Sequence, residues 1–387
     1  MYLCKASLHW SMKEKTDLTT GFFRRCYMCH SPLTSEEIAK RTPICEKCAK
    51  LNRAHQEKLL RSDSSLKGRV ALVTGGRIKI GFQTALSLLR KGAQVIITTR
   101  FPVDATQRYG NMEDYNEWAD RLYIYGIDFR DIREVEKMIK WMYERFNYLD
   151  ILINNAAQTV SRPKEYYLYL KDLEKAEEIL LPDTEKKRLV NSTHYLHTPT
   201  KESSPLAKFF PAGILDEEGL QIDLRHSNSW VARAWDVSTK EMLEVQLINV
   251  TAPFLFCSKF VELMKKSPSQ HKFIVNVSSM EGRFSKPNKN GFHPHTNMAK
   301  AALNMLTRTI AEDYKKIDIY VNSVDTGWIT DENPFRIRQM NKKMGMTPPL
   351  SCEDGAARVC EPIFTYTEDG KEPMSGKFLK DFKSIQW

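Results

Sequence analysis

Short apolar runs closed by turn residues alternate with stretches of helical spacing along most of this chain. Residues 70–74 form an apolar run that ends at glycine, the pattern of a strand buried on both faces. Ala85, Leu86, Leu88 and Leu89 then repeat at helical spacing, which predicts a helix over 81–90. Residues 94–99, 122–127 and 150–154 are the next strand-like runs, with a helix expected over 135–146. Residues 273–279 and 317–321 read as two more strands separated by a helix over 296–314, and 377–379 as a last one. Strict strand–helix alternation with short connections predicts an α/β fold, a Rossmann-like doubly wound parallel sheet.

The alternation fails between Asn155 and Glu241. A compact α/β unit does not need so long a connection, so an insertion is expected at about 158–240 within a large domain over 68–387. Inside it, 163–180 has the spacing of an amphipathic helix. Tyr166, Tyr167, Leu168, Tyr169 and Leu170 are assigned to packing on the parent domain, with a substrate lid or an oligomer face as alternatives. Ahead of the large domain the expected order is a tail at 1–20, a small zinc-binding module at 21–52, and a linker with a short polar helix at 53–67.

That module rests on spacing. Four of the eight cysteines fall as Cys26-x-x-Cys29 and Cys45-x-x-Cys48, and two such pairs turn four sulfurs inward on a tetrahedral Zn²⁺. Reduced unligated thiols or a redox pair are the alternatives. A segment this small has no core of its own, so metal would supply its folding energy. A closed four-sulfur site leaves no open position for catalysis, and its expected role is docking, onto the large domain or onto a protein partner.

The other cysteines are scattered, which fits a reducing compartment; the cytoplasm is expected, with the mitochondrion as alternative. No apolar stretch approaches 18 residues, so no spanning helix and no membrane partner are expected, and the first 20 residues lack the pattern of a secretory leader. Net charge is +10, with 13 Lys/Arg against 7 Asp/Glu in residues 1–67. This is a weak footprint for nucleic acid, and a solvated lysine-rich surface is the preferred reading.

The first strand turns into a helix through Thr74-Gly75-Gly76-Arg77-Ile78-Lys79-Ile80-Gly81. Such a turn aims unpaired backbone N–H groups at one point, and glycines let a pyrophosphate approach them. At the end of the second strand stand Thr98-Thr99-Arg100 and no acidic residue. Two guanidinium groups, Arg77 and Arg100, suit a 2′-phosphate, which favours NADP(H) over NAD. An ordinary surface arginine is the alternative for Arg100.

With these landmarks, 68–157 and 237–387 resemble the short-chain dehydrogenase/reductase family. The family's turn is Thr-Gly-x-x-x-Gly-x-Gly; Thr74, Gly75 and Gly81 match it and Lys79 replaces the middle glycine. The resemblance implies that Asp128 contacts adenine, that Asn154-Asn155-Ala156-Ala157 steadies the sheet beside the coenzyme, and that the loop through Ile329 and Thr330 holds the nicotinamide amide. It also implies a coenzyme site made of Thr74, Gly75, Arg77, Lys79, Ile80, Gly81, Arg100, Asp128, Asn155, Lys300, Ile329 and Thr330, and homo-oligomers through helices near 241–264 and 296–314.

In that family a tyrosine donates the proton for hydride transfer, a lysine lowers its pKa, a serine orients the substrate and an asparagine holds a relay water. Asn249, Ser279 and Lys300 match the last three roles. The Tyr-x-x-x-Lys pattern reads Thr296-Asn-Met-Ala-Lys300 here. Thr296 is a far weaker acid than a phenol of pKa about 10. Three readings follow. His295 or His293 supplies the proton, the substrate needs no strong acid, or the domain binds a nucleotide without redox chemistry. His295, beside Pro294, is equally placed to be a helix-start residue with no role. The leading expectation is an NADP(H)-dependent oxidoreductase of unidentified small-molecule substrate with altered proton chemistry. A catalytically inactive scaffold in a larger assembly is the alternative, and a nucleic-acid-associated protein the weakest class.

Overall fold

Among the described residues, nine strands form one sheet in the order β5-β3-β2-β1-β4-β6-β7-β8-β9, parallel throughout except for the final antiparallel pair. The strands are β1 Val70–Val73, β2 Gln94–Thr99, β3 Leu122–Gly126, β4 Ile151–Asn154, β5 Leu189–Val190, β6 Lys272–Ser278, β7 Ile319–Asp325, β8 Phe378–Lys380 and β9 Lys383–Ile385. The structure is a computed structural model that describes residues 24–63, 65–178, 189–190, 204–216, 219–286 and 289–387. The expected tail at 1–20, the end of the amphipathic helix at 179–180 and much of the insertion lie outside the described residues.

The doubly wound reading holds for a physical reason visible in β1. Ala71 and Val73 enter the core on one face, with the helices Lys79–Arg90 and Cys352–Thr367. Val70 and Leu72 enter the core on the other, with Ile132–Arg145, Ala252–Lys259 and Pro294–Lys315. A strand apolar at every position needs a helical layer on both sides.

Three elements differ from expectation. β7 begins at Ile319 and runs to Asp325, because Asp318 takes a left-handed φ of +59° that closes the preceding turn. Its second half is concealed by buried polar residues with internal partners: Asn322 Nδ2 donates to Met374 O at 2.7 Å and Ser323 pairs with Thr307 at 2.8 Å. β9 is unexpected; its hairpin turns at Asp381 and Phe382, both left-handed (φ +47° and +65°) without the usual Gly or Asn. β5, only two residues from the insertion, adds an edge beside β3.

The amino-terminal division is also drawn differently. One helix, Glu46–Leu60, runs through both the expected module and the expected linker. Cys45 is its N-cap residue and Cys48 lies in its first turn, while Leu59 at its far end is part of the main core. Ser87 Oγ donates to Leu59 O at 2.6 Å, and Gln56 Nε2 to Asp354 Oδ1 at 2.9 Å. The small apolar cluster of Cys26, Met28, Leu33, Ile44 and Cys48 closes only with Leu350 of the large domain. Of the two docking roles, the large domain itself is the surface on which the segment sits. Among the described residues, no helix is long and apolar enough to cross a membrane.

Candidate coenzyme and catalytic site

The turn after β1 is held from three sides. Gly75 N donates to Thr98 Oγ1 at 3.1 Å and Gly76 N to Thr98 O at 3.1 Å. Asn155 donates through Nδ2 to Thr74 O and Gly75 O (3.0 and 3.1 Å), and the N–H groups of Asn155 and Ala156 both reach Thr74 Oγ1. Gly81 is bare for a steric reason: a Cβ there would overlap the Gly75 carbonyl. Lys79, where the family's turn has a glycine, takes a left-handed φ of +56°. A left-handed non-glycine residue costs about 1–2 kcal/mol, so packing around the turn enforces its shape. Lys79 Nζ lies 3.6 Å from Glu332 Oε1. That carboxylate also accepts from Thr330 Oγ1 at 2.9 Å; burial alone would raise its pKa, but Lys79, Arg162, Thr330 and Arg338 together hold it below the usual range. Ile80 and Ile329 both pack over Gly355. The first turn and the late loop thus form two walls of one groove.

At the end of β2 both nominated arginines have protein partners. Arg77 Nη1 donates to Asp104 Oδ2 at 2.6 Å. Arg100 stacks over Tyr167, 4.5 Å from the ring centroid, and donates to its hydroxyl at 2.9 Å. The insertion therefore covers this corner through the helix Leu168–Glu178 and the turn before it. Glu174 is the residue that sequence reasoning missed. Its carboxylate accepts from Val103 N at 3.0 Å and Asp104 N at 2.7 Å, at the start of the helix Pro102–Gly110. Burial raises its pKa to about 7 against the opposing pull of those two amides. Its partners are 70 and 71 residues away, so no local signal marks it. Asp128 is clamped by Arg130 at 2.9 Å; burial alone would raise its pKa, but the guanidinium holds it low.

The candidate catalytic residues gather at the carboxyl ends of β4, β6 and β7. Asn249 sits in a single π-helical turn, Leu247–Thr251, a distortion frequent at functional sites. Its Oδ1 accepts from Gln158 N at 2.7 Å and its Nδ2 donates to Gln158 O at 3.1 Å. Ser279 directly follows β6, and the next amide, Met280 N, donates to Asp325 Oδ1 at 3.0 Å. Lys300 Nζ donates to Val277 O at 2.7 Å. Burial lowers its pKa to about 8, partly opposed by Asp325.

Thr296 is buried, and its Oγ1 donates to His293 O at 2.9 Å in the first turn of the helix Pro294–Lys315. His293, at φ +39°, stacks on Trp230 with centroids 4.1 Å apart. Its Nδ1 lies 2.9 Å from Asn297 Oδ1 and 3.3 Å from the Thr296 hydroxyl. Burial presses its pKa down to about 4, so it is a neutral imidazole near pH 7. His295 turns the other way, with Nε2 3.2 Å from Glu241 Oε1. Burial pushes the Glu241 carboxyl up, but His295 and Ser229 outweigh it and the net shift is downward.

The cysteine ligand atoms all lie within 4.8 Å of one another. Zn–S bonds of about 2.3 Å in a tetrahedron place sulfurs about 3.8 Å apart, and Cys29 Sγ to Cys45 Sγ is 3.7 Å. Cys45 N also donates to Cys26 Sγ at 3.3 Å, which suits a thiolate ligand. The four residues fit zinc.

A doubly wound sheet with a glycine-bearing turn after β1, a serine directly after β6 and a lysine bonded to the end of β6 defines the Rossmann-like oxidoreductase class. The chain belongs to the short-chain dehydrogenase/reductase family. The family profile described as short chain dehydrogenase matches residues 69–179, and one described as enoyl-(acyl carrier protein) reductase matches 225–352. Uncharacterized protein R665 of Acanthamoeba polyphaga mimivirus is 32% identical over 353 residues, covering 88% of this chain and 71% of that protein. The (+)-neomenthol dehydrogenase of Capsicum annuum is 28% identical over 96 residues, 24% of this chain and 31% of that protein. Among solved structures, a short chain dehydrogenase from Burkholderia cenocepacia in complex with NADP superposes with a TM-score of 0.52 at 20% identity, covering 81% of this chain and 96% of that one. The Pseudomonas aeruginosa RhlG/NADP active-site complex gives 0.53 at 19%, covering 83% and 97%.

Proposed function

We propose that this protein binds NADP(H) and acts as an oxidoreductase on a carbonyl or alcohol substrate, with proton chemistry that does not use the family's tyrosine. The observation that carries this reading is Lys79 at φ +56°. The chain accepts backbone strain to keep the shape of a phosphate turn at a position where its sequence no longer favours it, and strain of this kind is kept at functional sites. Complexes of two structural neighbours with NADP support the coenzyme assignment.

In this reading the turn over 74–81, Asn155, Asp128 and the loop through Ile329 and Thr330 hold the coenzyme, which supplies the hydride. Arg100, and Arg77 behind it, present positive charge to a 2′-phosphate. Ser279 orients the substrate oxygen. Lys300, with a pKa near 8, binds the ribose and relays a proton toward the Asn249 side. Thr296 is a helix-start residue here, because its hydroxyl proton is spent on His293 O. The candidate proton donor is His295, whose Nε2 lies 3.2 Å from Glu241 Oε1. The substrate pocket is shared by the insertion and the residues after Thr330. Leu243, Phe254, Met298 and Met305 are exposed apolar side chains on the two expected oligomer helices, which supports a homo-oligomer.

Arg100→Asp is expected to weaken NADPH binding about 10- to 100-fold, the scale of a charge-assisted hydrogen bond, and NADH binding far less. Quenching of coenzyme fluorescence measures both, and equal losses would remove the phosphate assignment. A specific observation favours a second reading, the non-catalytic scaffold: Lys79, Arg77 and Arg100 all have partners within the chain. Failure of the wild-type protein to retain either coenzyme would decide for it.

A further inference from the structure

The two residues between Cys26 and Cys29 face the large domain. Met28 is buried against Arg358, whose Nη2 lies 3.6 Å from its sulfur. Tyr27 reaches further. Its own N–H donates to Pro43 O at 2.8 Å, which ties the first cysteine pair to the segment entering the second. Its ring carries Lys380 Nζ at 5.5 Å from the centroid. Its hydroxyl accepts a hydrogen bond of 2.7 Å from Trp328 N.

Trp328 N belongs to the loop that leaves β7, and the loop is pinned at this point. Gly327 takes φ +83°, and a Cβ there would overlap Leu350 and come within 3.4 Å of the Tyr27 hydroxyl. Ile329 packs on the cluster that contains Cys26 and Cys48. Downstream, Trp328 Nε1 donates to Thr330 O at 3.1 Å, Thr330 Oγ1 to Glu332, and Glu332 faces Lys79 in the turn after β1. A continuous path of contacts runs from the cysteine loop to the phosphate turn, and Tyr27 is its first link.

We infer that Tyr27 is a positioning residue through which metal occupancy of the four cysteines sets the loop over 327–330, so that metal binding and coenzyme binding favour each other. The inference rests on the reading that this loop holds the coenzyme. A metal ion fixes the Cys26–Cys29 turn. The turn fixes the direction of the Tyr27 side chain. The phenol then occupies the Trp328 amide and leaves the loop one conformation. Without the ion the short turn keeps only its small apolar cluster and the Tyr27 N to Pro43 O bond, and the loop loses much of its outer support. Coupling between two sites is reciprocal: whatever factor zinc adds to coenzyme affinity, coenzyme adds to zinc affinity.

The test uses the full chain loaded with zinc. Zinc affinity is measured in a metal buffer with and without saturating NADPH, alongside hydrogen exchange at the Trp328 amide. The wild-type protein is expected to hold zinc about tenfold more tightly with NADPH present, in the usual range of coupled sites. Tyr27→Phe, which keeps the ring and removes only the hydroxyl, is expected to bind zinc stoichiometrically and to melt as a folded protein. It should lose most of that tenfold factor, and its Trp328 amide should exchange at least tenfold faster while the amides of β7 stay protected. A variant that keeps the full NADPH effect, or equal exchange at Trp328 in both proteins, overturns the inference. Wild-type protein that binds NADPH with no change in zinc affinity overturns it alone. Wild-type protein that binds neither coenzyme overturns it together with the proposed function.

Discussion

Cys48→Ser is expected to strip the protein of its metal and to release residues 24–45 from the large domain. The described part of that segment has only Cys26, Met28, Leu33 and Ile44 as buried apolar residues, and two of the six members of its cluster are themselves cysteines of the metal set. So little burial cannot hold the 22 residues of 24–45 in place. In zinc-finger peptides the metal contributes about 10–16 kcal/mol of folding free energy, far more than any other single interaction at this site. Three remaining sulfurs would give a weaker and exchangeable site. Elemental analysis should fall from about one zinc per chain toward zero, and a protease should cut within 24–45. Unfolding should stop along the helix Glu46–Leu60, because Leu59, Gln56 and the Lys58–Asp369 ion pair at 2.6 Å anchor its second half. Unchanged zinc content in the variant, or protease resistance after chelation, would contradict this.

Arg358→Met is expected to cost about 3–5 kcal/mol, the scale of breaking a buried ion pair by removing one partner. The Arg358 side chain is 1% exposed. Its guanidinium donates to Asp381 at 2.8 Å, to Asn52 Oδ1 at 3.1 Å and to Asp354 O at 2.8 Å, and stacks over Phe382 with 4.7 Å to the ring centroid. It therefore joins three separate parts of the chain: the helix Glu46–Leu60, the helix Cys352–Thr367 and the β8–β9 turn. Methionine refills the volume but leaves Asp381, among the described residues, with only Lys380 at 3.3 Å, and takes away the Arg358 donor of the Asn52 side-chain carbonyl. Arg358→Lys should recover little, because one ammonium cannot serve a fork of three acceptors. Urea unfolding with an unchanged m-value and a shifted midpoint would show it. A loss below about 1 kcal/mol would mean that the guanidinium is a passenger.

The sheet was legible where strands are apolar on both faces. Residues 94–99 and 151–154 match the periodic reading because Ile96, Ile97, Leu152 and Ile153 leave no polar alternative. Legibility failed where long-range partners replace pattern. The second half of β7 hides behind Asn322, Ser323 and Asp325, whose partners lie outside the strand. The hairpin turn at Asp381 and Phe382 lacks the residues that usually report a left-handed backbone. At the site, Thr74, Gly75 and Gly81 form one turn as their spacing implies, since turn chemistry is local, whereas Asn155 lies 81 residues from Thr74 and was signalled only by the family resemblance. Arg77 was read as free for a phosphate but is paired with Asp104, 27 residues on. Glu174 and Tyr27 act on groups 70 and 301 residues away, a separation that periodicity cannot report.

The hairpin β8–β9 places Lys380, Asp381 and Phe382 against Tyr27, Arg358 and His55, the last in a ring stack of 3.6 Å. The cysteine segment thus rests on residues translated long after it: Tyr27 bonds Trp328, 301 residues on, and the hairpin follows later still. Until then that seat does not exist, and the segment hangs from the nascent chain as a tethered finger. Metal capture can precede docking by the whole time needed to translate those residues, and deleting the β8–β9 hairpin would loosen the dock of a finger already folded around its ion.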